Sequence, residues 1–245
     1  MKDPTFLILT PAFNCREKIW RTMLSVAGQS YDQWQMVIID DMSSDGTAQA
    51  AAKYAKELKI QNRVVVIKRE EKYGEVRNTL DIIKTMARKD DIVVRLDAGD
   101  YLVDLDALAI ISSIYKQTSP AVLWTAHRWS LTDHNISGPI DSDKSVYEQP
   151  WKSSHLKTFV ASELFGINED NFRDEDGNWI MIACDQAIFL PMMERARRAN
   201  KPLVFLPRVM YHYDIDLQDP NLFTTERSFK QKGSAEFIRA RGYIE

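Results

Sequence analysis

Residues 92–101 read Ile-Val-Val-Arg-Leu-Asp-Ala-Gly-Asp-Tyr, an apolar, β-branched run that stops at two carboxylates, Asp97 and Asp100. A strand buried in a parallel sheet has such a continuous apolar run, and the ligands of open α/β sheets bind just beyond the carboxyl ends of the strands. The stretch therefore predicts a buried strand with two carboxylates at a binding site. An ordinary Asp-rich turn after a strand is the alternative.

Strand and helix patterns alternate on both sides of this stretch. Short apolar runs predict strands at residues 6–9, 36–39, 64–67 and 92–96. The segments between them carry apolar residues at helical spacing, as in Ile19, Met23 and Val26. Repeated βα units predict an α/β fold with a doubly wound, mostly parallel sheet flanked by helices.

The composition is that of a globular protein, since 44% of the 245 residues are hydrophobic and 27% are charged. No apolar run approaches the roughly 20 residues that span a bilayer, and we see no signal-peptide pattern, so we expect a cytoplasmic protein without a membrane span. Cys15 and Cys184 have no CxxC spacing, which argues against a disulfide framework or a structural zinc site. A net charge of −3 gives no general argument for polyanion binding.

Polar residues end two further predicted strands. One strand ends in Asp40-Asp41, and the first strand runs into Thr-Pro-Ala-Phe-Asn at residues 10–14. Carboxylates gathered at one sheet edge repel each other unless a cation or a donor-rich ligand lies between them. The chain contains no GxG, which excludes the dinucleotide fingerprint and the phosphate loop. Oxygen ligands with few histidines favour Mg²⁺ or Mn²⁺, so the pattern indicates a nucleoside diphosphate held by metal.

Four segments together resemble the family 2 glycosyltransferases of the GT-A fold. They are Thr-Pro-Ala-Phe-Asn at 10–14, Ile-Asp-Asp-Met-Ser-Ser-Asp-Gly-Thr at 39–47, Gly-Glu-Val-Arg-Asn at 74–78 and Leu-Asp-Ala-Gly-Asp at 96–100. The resemblance covers about residues 5–102, although the glycine of the third segment is closer to Arg-Asn than the family usually has it. It implies an inverting transferase that uses a nucleotide sugar, most simply a UDP-sugar.

The resemblance also implies which residues bind the donor. These positions are Thr10, Pro11, Ala12, Asn14, Asp41, Arg77, Asn78 and Asp97. A solvated helix charge is the alternative for Arg77. The implied metal ligands are Asp97 and Asp100, with His212 as a weaker candidate. Where the family usually has Asp-x-Asp, this chain has Asp97-Ala98-Gly99, so either Asp100 takes over ligation or the ion rests mainly on phosphate oxygens and water.

We expect residues 1–102 to form the donor-binding half and residues 103–245 to form the acceptor-binding half with the catalytic base. Residues 151–159, Trp-Lys-Ser-Ser-His-Leu-Lys-Thr-Phe, resemble a stretch of certain viral and bacterial family members. Trp151, Lys152 and His155 are therefore candidates for contacting the acceptor or the diphosphate, as is Tyr213 in a segment similar to the family's Y-x-Y-N. A solvated surface loop is the alternative for the 151–159 stretch.

Asp185 is the predicted general base. It interrupts the apolar run of residues 179–188, where desolvation tends to raise a carboxyl pKa. In the family that the chain resembles, an aspartate of the corresponding segment, at the start of a helix, acts as the general base. The alternative is that Asp185 is the N-cap of the helix that follows.

Three functions remain open at this stage. We favour an inverting transfer from a nucleotide sugar to a hydroxyl of a glycan or another carbohydrate. Transfer to hydroxymethylated bases of viral DNA is the second, because a cluster of cations near the carboxyl terminus could track phosphates. Its members are Arg195, Arg197, Arg198, Lys201, Arg239 and Arg241. A nucleotide-sugar-binding relative that has lost turnover is the third, and Gly99 in the metal motif supports it.

Overall fold

The computed structural model describes residues 3–215 and 225–245. Within these ranges a mixed sheet is flanked by helices on both faces. The strands are β1 (Phe6–Ala12), β2 (Trp34–Asp40), β3 (Val64–Lys68), β4 (Ile92–Arg95), β5 (Tyr101–Leu102), β6 (Val122–Trp129), β7 (Lys157–Val160) and β8 (Leu203–Tyr213). The helices are α1 (Ile19–Ala27), α2 (Thr47–Glu57), α3 (Gly74–Met86), α4 (Ala107–Thr118), α5 (Cys184–Arg198) and α6 (Thr225–Arg241).

The eight strands are ordered β3-β2-β1-β4-β7-β6-β8-β5. The first four in this order are all parallel, as the βα alternation predicts. Strand β7 then joins β4 and β6 in antiparallel pairs, so the sheet is continuous across residue 102. The two predicted halves therefore share one sheet, and their division by function at residue 102 stays a prediction.

Alternate residues of the strands enter separate cores on the two faces of the sheet. Leu7 and Leu9 pack with residues of α3 and α5, whereas Phe6 and Ile8 pack with residues of α1, α2 and α4. Because both faces are covered, the central strands are apolar throughout, and this explains the continuous apolar runs in the sequence.

The carboxyl ends of β1, β2 and β4 lie at one edge of the sheet. Ala12 is the register partner of Asp40, and Leu9 is the partner of Arg95, the last residue of β4. The loops that follow these strands carry most of the predicted site residues to this edge. Among the described residues, no helix combines the length and the apolar character needed to cross a bilayer. The cytoplasmic location stays a prediction.

Candidate functional site

A cavity of about 560 Å³ opens at the carboxyl edge of the sheet. This volume is within the range of small-molecule sites. Its polar lining comes from both predicted halves of the chain, from Glu75 and Asp97 in the first and from His155, Asp185 and Tyr213 in the second. Residues 181–184 and the first turns of α6 complete the wall.

Asp185 lies in the first turn of α5 and faces this cavity. The helix N-cap is Ala183, in a left-handed conformation with φ of 57°, so the alternative that Asp185 is the N-cap is wrong. The Nζ atom of Lys157 lies 2.6 Å from Oδ1 of Asp185. Burial opposes ionisation of Asp185, but the charge of Lys157 outweighs it and holds the pKa of this carboxyl below its usual range. The expectation of a raised pKa is therefore wrong.

A second cation, Arg95, lies under the same cavity and is only 2% exposed. Its guanidinium donates to Oδ1 of Asp97 at 3.1 Å, to Oγ1 of Thr79 at 3.1 Å and to the carboxylate of Glu75. One buried arginine thus joins two acids of the cavity wall. Because a buried charge needs such partners, these three residues form one structural unit.

The two acids that Arg95 joins titrate unusually. Burial raises the pKa of Glu75 to about 7, and the nearby carboxylates of Asp97 and Asp185 act in the same direction against the charge of Arg95. Burial likewise raises the pKa of Asp97. The site therefore combines Asp185, a carboxylate at neutral pH, with Glu75, which exchanges its proton near neutrality.

The structure does not bring the three predicted metal ligands together. Both oxygens of Asp100 accept hydrogen bonds, from the hydroxyl of Tyr211 at 2.6 Å and from the backbone N–H of Asp214 at 2.8 Å. His212 stacks on Tyr101, and its Nε2 lies 3.1 Å from the hydroxyl of Ser130.

Only Asp97 of the predicted ligands lines the cavity, and Arg95 already occupies one of its oxygens. Within residues 3–215 and 225–245, no group of three His, Cys, Asp or Glu side chains is placed to hold a metal ion. A Mg²⁺ ion at a nucleotide site is usually held by one or two carboxylates together with substrate phosphates and waters. Asp97 is placed to contribute such a carboxylate, and metal binding stays a prediction.

Asp41 and Asn78 have structural partners that explain their residue types. Oδ1 of Asp41 accepts hydrogen bonds from the backbone of Tyr73 at 2.9 Å and the side chain of Asn78 at 2.8 Å, and Oδ2 accepts one from the backbone of Gly74 at 3.0 Å. Asp41 thus fixes the start of α3. Their predicted donor contacts remain predictions, and Asp41 and Asn78 are 7% and 1% exposed.

Arg77 lies in the first turn of α3, after Gly74. Its guanidinium lies 3.5 Å from the centre of the Tyr73 ring, and Nη1 is 3.6 Å from Glu71. Gly74 begins α3 with φ of +74°, and a Cβ there would overlap the sulfur of Met181 in the cavity wall. The glycine of the third sequence segment is thus required by conformation and by close approach.

The segment of residues 10–14 is only partly accessible. Thr10 is fully buried and Ala12 is 3% exposed, so their side chains belong to the sheet rather than to an open pocket. Pro11 is half-buried, and Asn14 is exposed with its side-chain oxygen accepting a hydrogen bond from the backbone of Ser44. Phe13 is 49% exposed, so the side chains of this segment that a ligand could contact are those of Phe13 and Asn14.

The acid pairs at the strand ends have hydrogen-bond donors or an ion-pair partner inside the protein. Asp40 is 1% exposed and accepts hydrogen bonds from the backbone N–H groups of Ser43 and Ala48. The contacts of Asp41 with α3 and of Asp97 with Arg95 offset part of the repulsion expected from the sequence. A cation bound at this edge stays a prediction.

The stretch of residues 151–159 is divided between surface and core. Lys152 is exposed, Trp151 is half-buried, and His155 lines the cavity at 8% exposure while stacking on Tyr211 at 4.7 Å. Burial, together with the nearby charge of Lys157, keeps the pKa of His155 well below its usual range, so His155 offers a neutral imidazole. The solvated-loop alternative is wrong for His155 and Lys157.

The basic residues near the carboxyl terminus are engaged in contacts within the chain. Both Arg197 and Arg198 bind Glu194, which is 1% exposed, and Lys201 binds Glu163. Three more donate to backbone carbonyls, namely Arg195, Arg239 and Arg241. These cations therefore tie α5 and α6 to the rest of the fold, and the phosphate contacts suggested for them stay a prediction.

Sequence reasoning missed three residues of the site: Glu75, Arg95 and Lys157. Arg95 could have been noticed, because an arginine inside a buried β-branched run needs an anionic partner. Glu75 and Lys157 lie within segments singled out for other residues. Only the fold shows that Glu75 lines the cavity and that Lys157 binds Asp185.

Comparison with solved structures defines the class of the fold. TarS 1-349 of S. aureus, in a complex with UDP, superposes with a TM-score of 0.64 at 17% identity, over 98% of this chain and 67% of that one. The mannosyltransferase PcManGT of Pyrobaculum calidifontis, in complex with GDP-Man and Mn²⁺, gives a TM-score of 0.67 at 14% identity, over 99% of this chain and 66% of that one. The protein has the GT-A fold of glycosyltransferases.

Sequence comparison then gives the family. Residues 7–160 match the profile described as glycosyl transferase family 2, and the chain belongs to that family. A relative from Bacillus subtilis (strain 168) is described as the putative teichuronic acid biosynthesis glycosyltransferase TuaG. It is 39% identical over 71 residues, which cover 29% of this chain and 27% of that protein. The aligned stretch thus spans about a quarter of that relative.

Proposed function

We propose that this protein is an inverting glycosyltransferase that moves a sugar from a nucleoside-diphosphate sugar to a hydroxyl of a carbohydrate acceptor. The observation that carries the proposal is the cavity in which Asp97 of the first half and Asp185 of the second half face the same space. Family membership supports the reaction class. The alternative, a binding relative without turnover, would not need an ionised carboxylate at this position.

Asp185 is the proposed base. A general base must be ionised before it accepts a proton, and Lys157 keeps this carboxyl ionised at neutral pH. Asp185 takes the proton of the acceptor hydroxyl as its oxygen bonds to the anomeric carbon. The bond from that carbon to the diphosphate breaks on the opposite face, and its electron pair leaves with the diphosphate. A single displacement of this kind inverts the anomeric configuration.

The donor is proposed to be a UDP-sugar, with GDP-sugars as the tested alternative. TarS has been crystallised with UDP and PcManGT with GDP-Man, and both share the fold of this chain. The name of TuaG supports a glycan acceptor. Hydroxymethylated DNA has lost its main support, because the basic residues that suggested it bind Glu194, Glu163 and backbone carbonyls.

The test measures donor binding and sugar transfer separately. Calorimetry with UDP, UDP-sugars and GDP-Man, each with Mg²⁺, with Mn²⁺ and with a chelator, is expected to show binding of a nucleoside diphosphate. Radiolabelled donors offered to a glycan panel and to hydroxymethylated duplex DNA are expected to label glycans. The proposal fails if no nucleotide binds under any of these conditions.

The variant Asp185→Asn is expected to bind the donor as the wild type does and to transfer at least about 10²-fold more slowly, the usual contribution of a positioned base. The matched control is Asp143→Asn, because Asp143 is exposed and is not among the residues that line the cavity. An unchanged transfer rate in Asp185→Asn would remove the assignment of the base.

A further inference from the structure

The cavity presents carboxylates to a ligand and keeps the compensating cations behind them. The side chains of Glu75, Asp97 and Asp185 line the cavity and are 29%, 33% and 29% exposed. Arg95 and Lys157, which pair with these acids, are only 2% and 1% exposed. A ligand in this cavity therefore meets carboxylate oxygens, whereas the two cations are out of its reach.

One cation of the cavity wall is accessible, but it has an acidic partner of its own. Lys230 of α6 is the only lysine or arginine among the described residues that line the cavity, and its side chain is 61% exposed. Its Nζ atom lies 2.7 Å from Oε1 of Glu226, which also lines the cavity. Because this pair is neutral as a whole, it leaves the acidic character of the cavity unchanged.

Glu75 is held in place through both its backbone and its side chain. It is the second residue of α3, whose start Asp41 fixes through the backbone N–H of Gly74. Its carboxylate accepts a hydrogen bond from Arg95, and its carbonyl accepts one from Oγ1 of Thr79 at 2.8 Å. Arg95 also donates to Oγ1 of Thr79 at 3.1 Å, which closes the unit. A polar group that is fixed before a ligand arrives costs little to order on binding.

A fixed carboxyl group of this kind suits a hydroxyl of a sugar. In either protonation state it offers an acceptor oxygen to an O–H donor. A site built around such a hydrogen bond strongly rejects an analogue that lacks the hydroxyl. A carboxylate on the ligand would instead face like charges on the cavity acids, and it would have no O–H to donate. The cavity therefore fits an uncharged sugar better than a uronate.

We propose that Glu75 binds a hydroxyl of the transferred sugar and, together with the other cavity acids, selects an uncharged sugar over a uronate. Arg95 is the positioning residue of this contact. The inference rests on the proposed function, since the sugar is that of the nucleotide-sugar donor. In the proposed displacement this sugar lies between the diphosphate and the acceptor hydroxyl at Asp185. Glu75 is joined through Arg95 to Asp97, the lining residue that the family resemblance assigns to the donor.

The experiment separates the contribution of the sugar from that of the nucleotide. Calorimetry of the full chain with UDP, UDP-glucose and UDP-N-acetylglucosamine, and with GDP and GDP-mannose, gives the Kd of each free diphosphate and of its sugar ester, in Mn²⁺ and in EDTA. Glu75→Ala is expected to lower the affinity for the sugar ester about tenfold relative to that for the diphosphate, the size expected of a hydrogen bond to a charged group. A residue with only a structural role would weaken both ligands alike.

Two further variants keep the test sharp. Glu75→Gln retains the shape and one acceptor oxygen, so it is expected to lower the same relative affinity by only about threefold, and it carries the test if Glu75→Ala does not fold. Glu57→Ala, at a 54% exposed glutamate of α2, is expected to leave the relative affinity unchanged. Equal weakening of diphosphate and sugar ester in the Glu75 variants, or no change in either ligand, would overturn the proposal.

Uronate donors test the class of sugar. The wild type is expected to bind UDP-glucuronate at least about tenfold more weakly than UDP-glucose, or GDP-mannuronate more weakly than GDP-mannose if it uses guanosine nucleotides. Glu75→Gln should narrow this gap, because it removes one of the like charges. A uronate that binds as tightly as the uncharged sugar overturns this inference and leaves the glycosyltransferase proposal standing. If neither a nucleoside diphosphate nor a nucleotide sugar binds to the wild type, the proposed function itself fails and this inference fails with it.

Discussion

The Nζ atom of Lys157 lies 2.6 Å from Oδ1 of Asp185, and it joins the first residue of β7 to the first turn of α5. Lys157 is 1% exposed, so the pair is protected from screening by solvent. The proposed base is therefore both oriented and kept ionised by a residue that does not itself line the cavity among the residues described.

Replacing this lysine should change the pH dependence of the reaction. In Lys157→Met the pKa of Asp185 is expected to rise, because burial then acts against the weaker effect of Arg95 alone among the nearby cations. The acidic limb of the kcat/KM profile should move to higher pH, as measured between pH 4 and pH 9. The control is Lys144→Met, a 67% exposed lysine of a surface ion pair. An acidic limb that stays in place would contradict the role assigned to Lys157.

Glu75 should make the protein less stable as the pH rises. Its pKa is raised from 4.5 to about 7 in the folded protein, mainly by burial, so the folded state keeps a proton that the unfolded state has released. The resulting stabilisation is fully present below about pH 4.5 and is lost as the pH rises through about 7. Between pH 5 and pH 8, the free energy of unfolding measured with urea should fall by about 1–3 kcal/mol more in the wild type than in Glu75→Gln.

The exposed Glu57, with 54% of its side chain accessible, provides the comparison. Glu57→Gln should keep the pH dependence of the wild type. Equal pH dependence in Glu75→Gln and the wild type would show that Glu75 does not titrate in this interval.

Asp41→Ala should lower stability whether or not Asp41 also contacts the donor. The substitution removes the acceptor of three hydrogen bonds at the start of α3, from Tyr73, Gly74 and Asn78. The expected loss is about 1–3 kcal/mol in the free energy of unfolding, measured with urea. Asp41→Asn keeps one acceptor oxygen, so its free energy of unfolding should lie between those of the wild type and Asp41→Ala. Wild-type stability in Asp41→Ala would mean that these bonds are dispensable.

The double variant Arg197→Ala/Arg198→Ala tests the role of the basic helix end. Both arginines bind Glu194, which is 1% exposed and whose pKa they hold at about 2 against the effect of burial. Removing both leaves a buried carboxylate without these partners, so we expect a loss of several kcal/mol at pH 7. Arg208, whose side chain is 53% exposed, forms an ion pair with Asp104. Arg208→Ala should therefore lower the free energy of unfolding by less than about 1 kcal/mol. A stable double variant with weakened duplex DNA binding would restore the nucleic-acid alternative.

The fold was largely predictable from the sequence. The apolar runs at residues 6–9, 36–39, 64–67 and 92–96 are the cores of β1 to β4, and these strands are parallel and covered on both faces. This information is local, because hydrophobic periodicity is set by the geometry of one helix or one strand. The four segments that resemble family 2 lie where strands end and helices begin, and the family assignment agrees with them.

The candidate site was only partly predictable. The sequence placed Asp97, His155, Asp185 and Tyr213 in one site, and all four line the same cavity. It could not show that Asp100 is bound by Tyr211 and Asp214, or that Asp41 holds the start of α3. Sequence pattern indicates that a carboxylate stands at a strand end, but it does not say which hydrogen-bond donors lie within 3 Å of it.

What the sequence by itself determined is therefore the order of the elements through β4, the sheet edge and the family. What only the tertiary structure decided is the charge state of the site. Asp185 is held ionised and Glu75 is shifted to about 7, the reverse of what the apolar run around Asp185 suggested. The physical reason is that a pKa depends on burial and on the nearest charges. Burial and the carboxylates of Asp97 and Asp185 raise the pKa of Glu75 against the charge of Arg95, whereas the charge of Lys157 lowers the pKa of Asp185 against burial, and only the fold brings these groups together.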